Sequence, residues 1–170
     1  MHYGSVGKNL EINLSTGKSL KTEVDTTARG MYLGGRGTNT KLFWDRVPPE
    51  TDPYSADNLM VFGVGILTGT LAPGANRTIL TTLSPQTNLQ TYSSLGGFWG
   101  AELKHAGYDN LIVSGKSSKP VYLWINGDKA EIRDASHLWG KDVRETSKII
   151  RDELKQNRTQ VLSIGQAGEN

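Results

Sequence analysis

Short runs of alternating or continuous apolar residues, separated by glycine and polar turns, set the pattern of this chain. Residues 7 to 14 (GKNLEINL) alternate apolar and polar positions, and LKTEVD at 20 to 25 repeats the alternation after the turn STGKS. Side chains two apart share one face of a strand, so the pair predicts an opening β-hairpin. ARGMYLGG predicts a short helix over Ala28–Leu33 that ends at Gly34-Gly35, and a second helix is expected over Thr38–Val47. VPPETDPYSADN reads as a proline-stiffened surface connection.

The stretch from Asn58 to Gly115 is the organising one, with glycines at 63, 65, 69, 74, 96, 97, 100, 107 and 115. NLMVFGVG predicts a buried strand, ILTGTLAPGAN a glycine-punctuated loop, and RTILTTL a strand stopped by Pro85. QTNLQTYSSLGG reads as a polar loop. In FWGAELKHAG, Trp99, Leu103 and Ala106 fall at helical spacing, which puts Gly96-Gly97 just ahead of a helix N-terminus. YDNLIVSG and KPVYLWING predict two further strands, NGDK a tight turn and KAEIRD the returning strand. After the loop DASHLWGKDV, Asp142 is the expected N-cap of a helix reaching about Gln156, with Glu145 in the capping-box position. Val143, Ser147, Ile150 and Leu154 are its expected inward stripe. TQVLSI predicts a last strand running into GQAGEN; turn chemistry left unfinished there predicts a chain truncated at its C-terminal end.

Composition narrows the function classes. With 170 residues, 36% hydrophobic and 21% charged, the chain can bury a substantial core as one domain. A net charge of +2 with no Lys/Arg run gives no argument for nucleic acid. No cysteine occurs, so the chain supplies no disulfide and no thiolate to zinc or an iron–sulfur cluster. The N-terminus lacks the basic region and apolar stretch of a signal peptide, and no segment has membrane-spanning length. The expected compartment is the cytoplasm.

Chemistry-bearing residues are sparse. His2, His105 and His137 are isolated and read as surface or structural histidines, and Asp109 and Asp134 as turn residues without a catalytic role. Arg77 follows the PGAN turn at the start of a strand, beside the glycine-rich surface. A guanidinium there suits bidentate contact with a phosphate, and equally suits an ordinary strand-edge arginine. Arg36 within GGRG has the same two readings. GGRGTN has neither the full G-x-G-x-x-G spacing nor a following Walker lysine, which leaves a nucleotide site weakly supported.

Four ordered segments then carry a resemblance: GGRGTNTKLFWDRVPPETDPYSADNLMVFGVGILTGTLAPGANRT, SLGGFWGAELKHAGYDNLIVSGKSSKPVYLWINGD, EIRDASHLWGKDVRET and SIGQAGEN. Together they resemble the first domain of the tungsten-containing aldehyde:ferredoxin oxidoreductase family across nearly all of residues 1–170. WDRVPPE and SLGGFWGAELKHAGYD look closest to the tungsten subunit of class II benzoyl-CoA reductase. The resemblance implies an α+β fold, a β-rich cofactor base of two related mixed sheets with a few short helices. On such a base sits a tungsten bis-pyranopterin, its metal held by pterin dithiolenes and its phosphates sharing a Mg2+ ion. By position, Arg77 matches the family's pterin-binding arginine. Ser94 matches an asparagine whose main-chain carbonyl reaches the magnesium, a departure that preserves the backbone oxygen. Gly96 matches the neighbouring cofactor-contacting glycine; Leu95 and Gly97 complete the segment, with leucine replacing a small polar residue.

The family's second phosphate-binding segment, the cysteines of its [4Fe–4S] cluster and its substrate cavity belong to later regions, absent from these residues. The implied parent is an oxidoreductase of aldehydes or an aromatic acyl-CoA, working with ferredoxin or an iron–sulfur electron-transfer subunit and open to homo- or hetero-oligomeric assembly. On this reading residues 1–170 alone are inactive. The contrasting reading is a non-catalytic, stand-alone β-rich binding or assembly module.

Overall fold

The computed structural model describes residues 4–169; His2 lies outside them. The opening hairpin forms as expected, β1 (Lys8–Asn13) against β2 (Lys18–Glu23), antiparallel. Two helices follow, α1 (Thr26–Tyr32) and α2 (Gly35–Arg46). Then come β3 (Leu59–Val64), β4 (Thr78–Leu83), β5 (Gln90–Leu95), α3 (Trp99–His105) and β6 (Asn110–Ser114). A hairpin of β7 (Val121–Asn126) and β8 (Lys129–Asp134), a one-turn 3-10 helix Ser136–Leu138, α4 (Val143–Leu154) and α5 (Gln166–Glu169) complete the order.

Six strands make one mixed sheet in the order β2-β1-β6-β3-β4-β5, in which β1 and β6 run parallel and all other neighbours antiparallel. β7 and β8 form a separate two-stranded antiparallel sheet. The α+β class, with two sheets and short helices, therefore holds. LMVFGV and NLIVS are near-continuous apolar runs because β3 and β6 lie inside the sheet with both faces covered.

The two faces differ in chemistry. Leu10, Leu111, Phe62 and Leu80 lie side by side across four strands and face α3 and the β7–β8 hairpin. Tyr108 and Leu103 close this apolar layer, and the Tyr108 hydroxyl donates to the Gly127 carbonyl at 3.0 Å. On the other face, under α2, the adjacent row reads Asn9, Asn110, Gly63, Ile79, Ser94. Asn39 of α2 reaches down onto it, donating through Nδ2 to the carbonyls of Val61 and Ile79, both at 2.8 Å. Gly63 makes this approach possible, since a Cβ there would fall 1.9 Å from Asn39 Oδ1.

Four expectations change. α2 starts at Gly35, three residues before the expected Thr38; Gly37 packs closely there and tertiary contact outweighs its poor helix propensity, since a Cβ on Gly37 would meet the Tyr32 carbonyl at 2.8 Å. QTYSSL is a strand, not a loop: it pairs with β4 along its whole length as an exposed sheet edge, which is why it lacks apolar alternation. TQVLSI has no regular secondary structure and no strand neighbour among the described residues, and Val161 instead packs beside Ala135, Leu138 and Ile150. The α4 stripe is kept at Ile150 and Leu154, which pack beside Ala135 and Leu138, but at its start Val143 is 49% exposed and Thr146 is buried instead. The Asp142 cap itself forms, accepting from the N–H groups of Arg144 and Glu145 at 2.8 Å.

Candidate functional site

β4 begins one residue after Arg77, and β5 ends at Leu95, so antiparallel pairing brings two distant segments to the same sheet edge. Ser94 stands opposite Ile79, and Arg77 Nη1 donates to Ser94 Oγ at 3.1 Å. Both side chains are exposed. Gly96 and Gly97 continue from the strand into open space: a Cβ on either would meet nothing within 4 Å. Gly97 has φ 85°, a left-handed conformation suited to glycine. Leu95 departs from the group, because strand alternation turns its side chain to the opposite face, where it packs on the apolar layer.

The edge extends toward α2. Tyr92, two residues from Ser94 on the same face, lies under the Arg36 guanidinium, 4.7 Å from ring centroid to Cζ. Gln90 donates to Thr40 Oγ1 at 3.0 Å. Thus Arg36, Tyr92, Ser94 and Arg77 share one exposed, cationic and hydroxyl-bearing rim. Such a rim can bind an oxyanion.

A buried set of ionic groups at the end of β3 has no counterpart in the sequence pattern. Asp109 is fully buried, not a turn residue at the surface. Its carboxylate accepts from Arg29 Nη2 at 3.0 Å, from Ser5 Oγ at 2.5 Å and from the Gly7 N–H at 2.8 Å. Lys104 Nζ donates to the carbonyls of Gly65 at 2.7 Å and Ile66 at 3.1 Å. Burial lowers the pKa of both Lys104 and Arg29 from their ordinary values, opposed in each case by the charge of Asp109. A lone aspartate ahead of an apolar strand offers no signal of this role.

The remaining polar candidates are structural. His105 Nε2 lies 3.2 Å from the Gly69 carbonyl, and His137 Nε2 lies 2.8 Å from Glu153. Trp99 packs on Phe62 at 5.5 Å between ring centroids, and Arg133 covers the Trp124 ring at 4.2 Å. Among the described residues no three His, Cys, Asp or Glu side chains cluster in a way that could hold a metal ion. A metal carried on a ligand's own sulfur and phosphate groups makes no demand for such a cluster. The cationic, open edge at Arg77, Ser94 and Gly96-Gly97 fits a phosphate-bearing group of that kind.

Comparison with known proteins gives this geometry its family. Residues 9–170 match the family model described as aldehyde ferredoxin oxidoreductase, N-terminal domain. The chain belongs to that family. It is 45% identical over 168 residues to a tungsten-containing aldehyde ferredoxin oxidoreductase of Pyrococcus furiosus, a match covering 99% of this chain and 28% of the relative. It is 33% identical over 183 residues to the WOR-like subunit of an aliphatic sulfonate oxidoreductase from the same organism, covering 99% of this chain and 29% of that one. Among solved structures, the active-site complex BamBC of benzoyl coenzyme A reductase, bound to 1,5-dienoyl-CoA, superposes with a TM-score of 0.97 at 54% identity. That match covers 100% of this chain and 26% of the other. The chain thus spans just over a quarter of the length of these relatives. Among its described residues no helix is long and apolar enough to cross a membrane.

Proposed function

We propose that residues 1–170 form the N-terminal, pterin-binding base of a cytoplasmic tungsten bis-pyranopterin oxidoreductase. The observation that carries this reading is the Arg77–Ser94 pair at 3.1 Å, set beside the open backbone of Gly96-Gly97. In the family arrangement Arg77 would hold a pterin phosphate, Gly96 and Gly97 would let the ligand lie against the backbone, and the Ser94 main-chain carbonyl would serve as one oxygen donor to Mg2+, an ion that prefers such donors. When bound, the tungsten cofactor supplies two-electron chemistry coupled to one-electron carriers; the protein supplies placement and electrostatics.

The substrate is an aldehyde or an aromatic acyl-CoA. Identity of 54% to the benzoyl coenzyme A reductase complex, against 45% to the aldehyde enzyme, favours the acyl-CoA. A [4Fe–4S] cluster held outside these cysteine-free residues would exchange electrons between the substrate and ferredoxin or an iron–sulfur subunit. Anaerobic expression of the natural-length protein, followed by tungsten, molybdenum and iron analysis, tests the proposal. Bound tungsten and iron are expected; a folded, active protein containing none of the three metals overturns it.

A further inference from the structure

We propose that the turn Gly34–Arg36, where α2 begins, is a second oxyanion contact of the same seat, taking a phosphate group of the ligand that Arg77 faces. The inference rests on the pterin-base reading. α2 is twelve residues long, and its N-cap Gly34 (φ 87°) offers no side-chain acceptor to the first N–H groups. Its first turn holds no acidic residue and does hold the exposed Arg36. A helix N-terminus carries partial positive charge and unpaired donors, which anions satisfy.

Two buried groups point to a ligand independently of the helix. The Arg29 side chain is 2% exposed, its guanidinium lies against Gly34, and its Nε has no hydrogen-bond partner. A Cβ on Gly34 would stand 2.6 Å from Arg29 Nη1 and 2.8 Å from Cζ, so only glycine leaves the guanidinium this close to the turn. On the same first turn of α2 the Thr38 hydroxyl, also buried, has no partner. The charge count agrees. Among the described residues the buried charged side chains are Arg29, Lys104 and Asp109, two cations against one carboxylate. An anion at the turn offsets the excess.

Hydrogen bonds tie the turn to Arg77. Gly34 bridges Gly65; the Gly65 N–H donates to Thr68 Oγ1 at 3.2 Å, and Thr68 Oγ1 reaches the Arg77 carbonyl at 3.5 Å. Gly35 sits over Ile79, the cross-strand partner of Ser94, and Arg36 stacks on Tyr92. Turn and pair therefore open onto one surface.

The test compares Arg36→Gln, Arg36→Lys, Thr38→Val and Arg77→Ala in the natural-length protein, with thermal unfolding as the folding control. Two readouts are taken: pterin retained per polypeptide after gel filtration, and inorganic phosphate binding to the cofactor-free protein followed by phosphorus NMR. Arg36→Gln is expected to weaken phosphate binding about tenfold, as for one lost charge-assisted contact, and to lower pterin retention with an unchanged melting temperature. Arg36→Lys restores part of both. Thr38→Val lowers both by less. If Arg77→Ala loses pterin while Arg36→Gln and Thr38→Val change neither readout, this inference fails and the pterin-base reading stands. If neither arginine variant alters pterin content, both fail. Phosphate binding that depends on Arg36 while pterin retention does not marks a free-phosphate site, which also overturns the proposal.

Discussion

Two adjacent residue rows of the same sheet, one facing each side, obey different rules. Leu10–Leu111–Phe62–Leu80 meets α3 and the β7–β8 hairpin through apolar surface alone. Such contacts are non-directional, so this layer contributes stability in proportion to buried area and tolerates changes of shape that conserve volume. Asn9–Asn110–Gly63–Ile79–Ser94 meets α2 through the Asn39 amide, which donates to the Val61 and Ile79 carbonyls, while Asn110 Nδ2 donates to Asn9 Oδ1 within the sheet at 2.7 Å. Further along the same face Leu59, Val61 and Ile112 pack against Phe43 of α2. Directional bonds contribute less net stability but fix the orientation of α2 on the sheet. The candidate site hangs on the outer end of this second row, at Ser94. Both faces hold apolar clusters that keep the domain folded, and the polar row adds directional bonds that orient α2.

The largest effect expected comes from the buried ionic groups at the end of β3. Asp109→Ala strands Arg29 in the interior, and urea unfolding should register a loss of about 4 kcal/mol. A loss near zero would mean that Arg29 relaxes to solvent and that the network does not brace the site. Next is a paired comparison of the rows. Leu10→Ala should cost about 3 kcal/mol through lost burial and a residual cavity. Gly63→Ala should cost about 2 kcal/mol by pushing Asn39 off the sheet. Cofactor binding should separate the rows as well: Gly63→Ala should reduce pterin retention in the natural-length protein more than Leu10→Ala does, despite its smaller destabilisation. Equal loss of retention per unit of stability would erase the distinction drawn between them. Smallest in stability is Arg77→Ala, exposed and outside the packed layers, expected within about 0.5 kcal/mol of the parent by thermal unfolding. Its effect should appear in cofactor retention instead, and unchanged retention would remove Arg77 as a phosphate contact.

Local chemistry made much of the frame readable. NGDK between two β-prone runs predicts the β7–β8 turn, and Gly127 has φ 54° there. Asp142 with Glu145 marks the start of α4, and the apolar run of β3 marks a strand buried on both faces. The site was half legible. Arg77, Ser94, Gly96 and Gly97 do meet at one edge, but Leu95 turns away, a consequence of β5 being a strand with a two-residue period. Arg29, Lys104, Thr38 and Thr68 gave no sequence signal, because each acquires its role from neighbours distant along the chain or from burial that its own surroundings do not announce.

What the sequence determined by itself is what depends on a few consecutive residues: where backbone reverses, where helices are capped, which runs are apolar enough to be buried. It also carried the ordered motifs that identify the family. Tertiary structure alone decided which polar segment became an edge strand, since QTYSSL becomes β5 only through its pairing with β4. It likewise decided that Gly35 and Gly37 are helical, that TQVLSI stays unpaired, and that Asp109 belongs to the interior. The physical reason is common to all four. Backbone hydrogen bonds between strands, close approach at glycine and the neutralisation of a buried charge are completed by partners distant in sequence, and no window of neighbouring residues contains them.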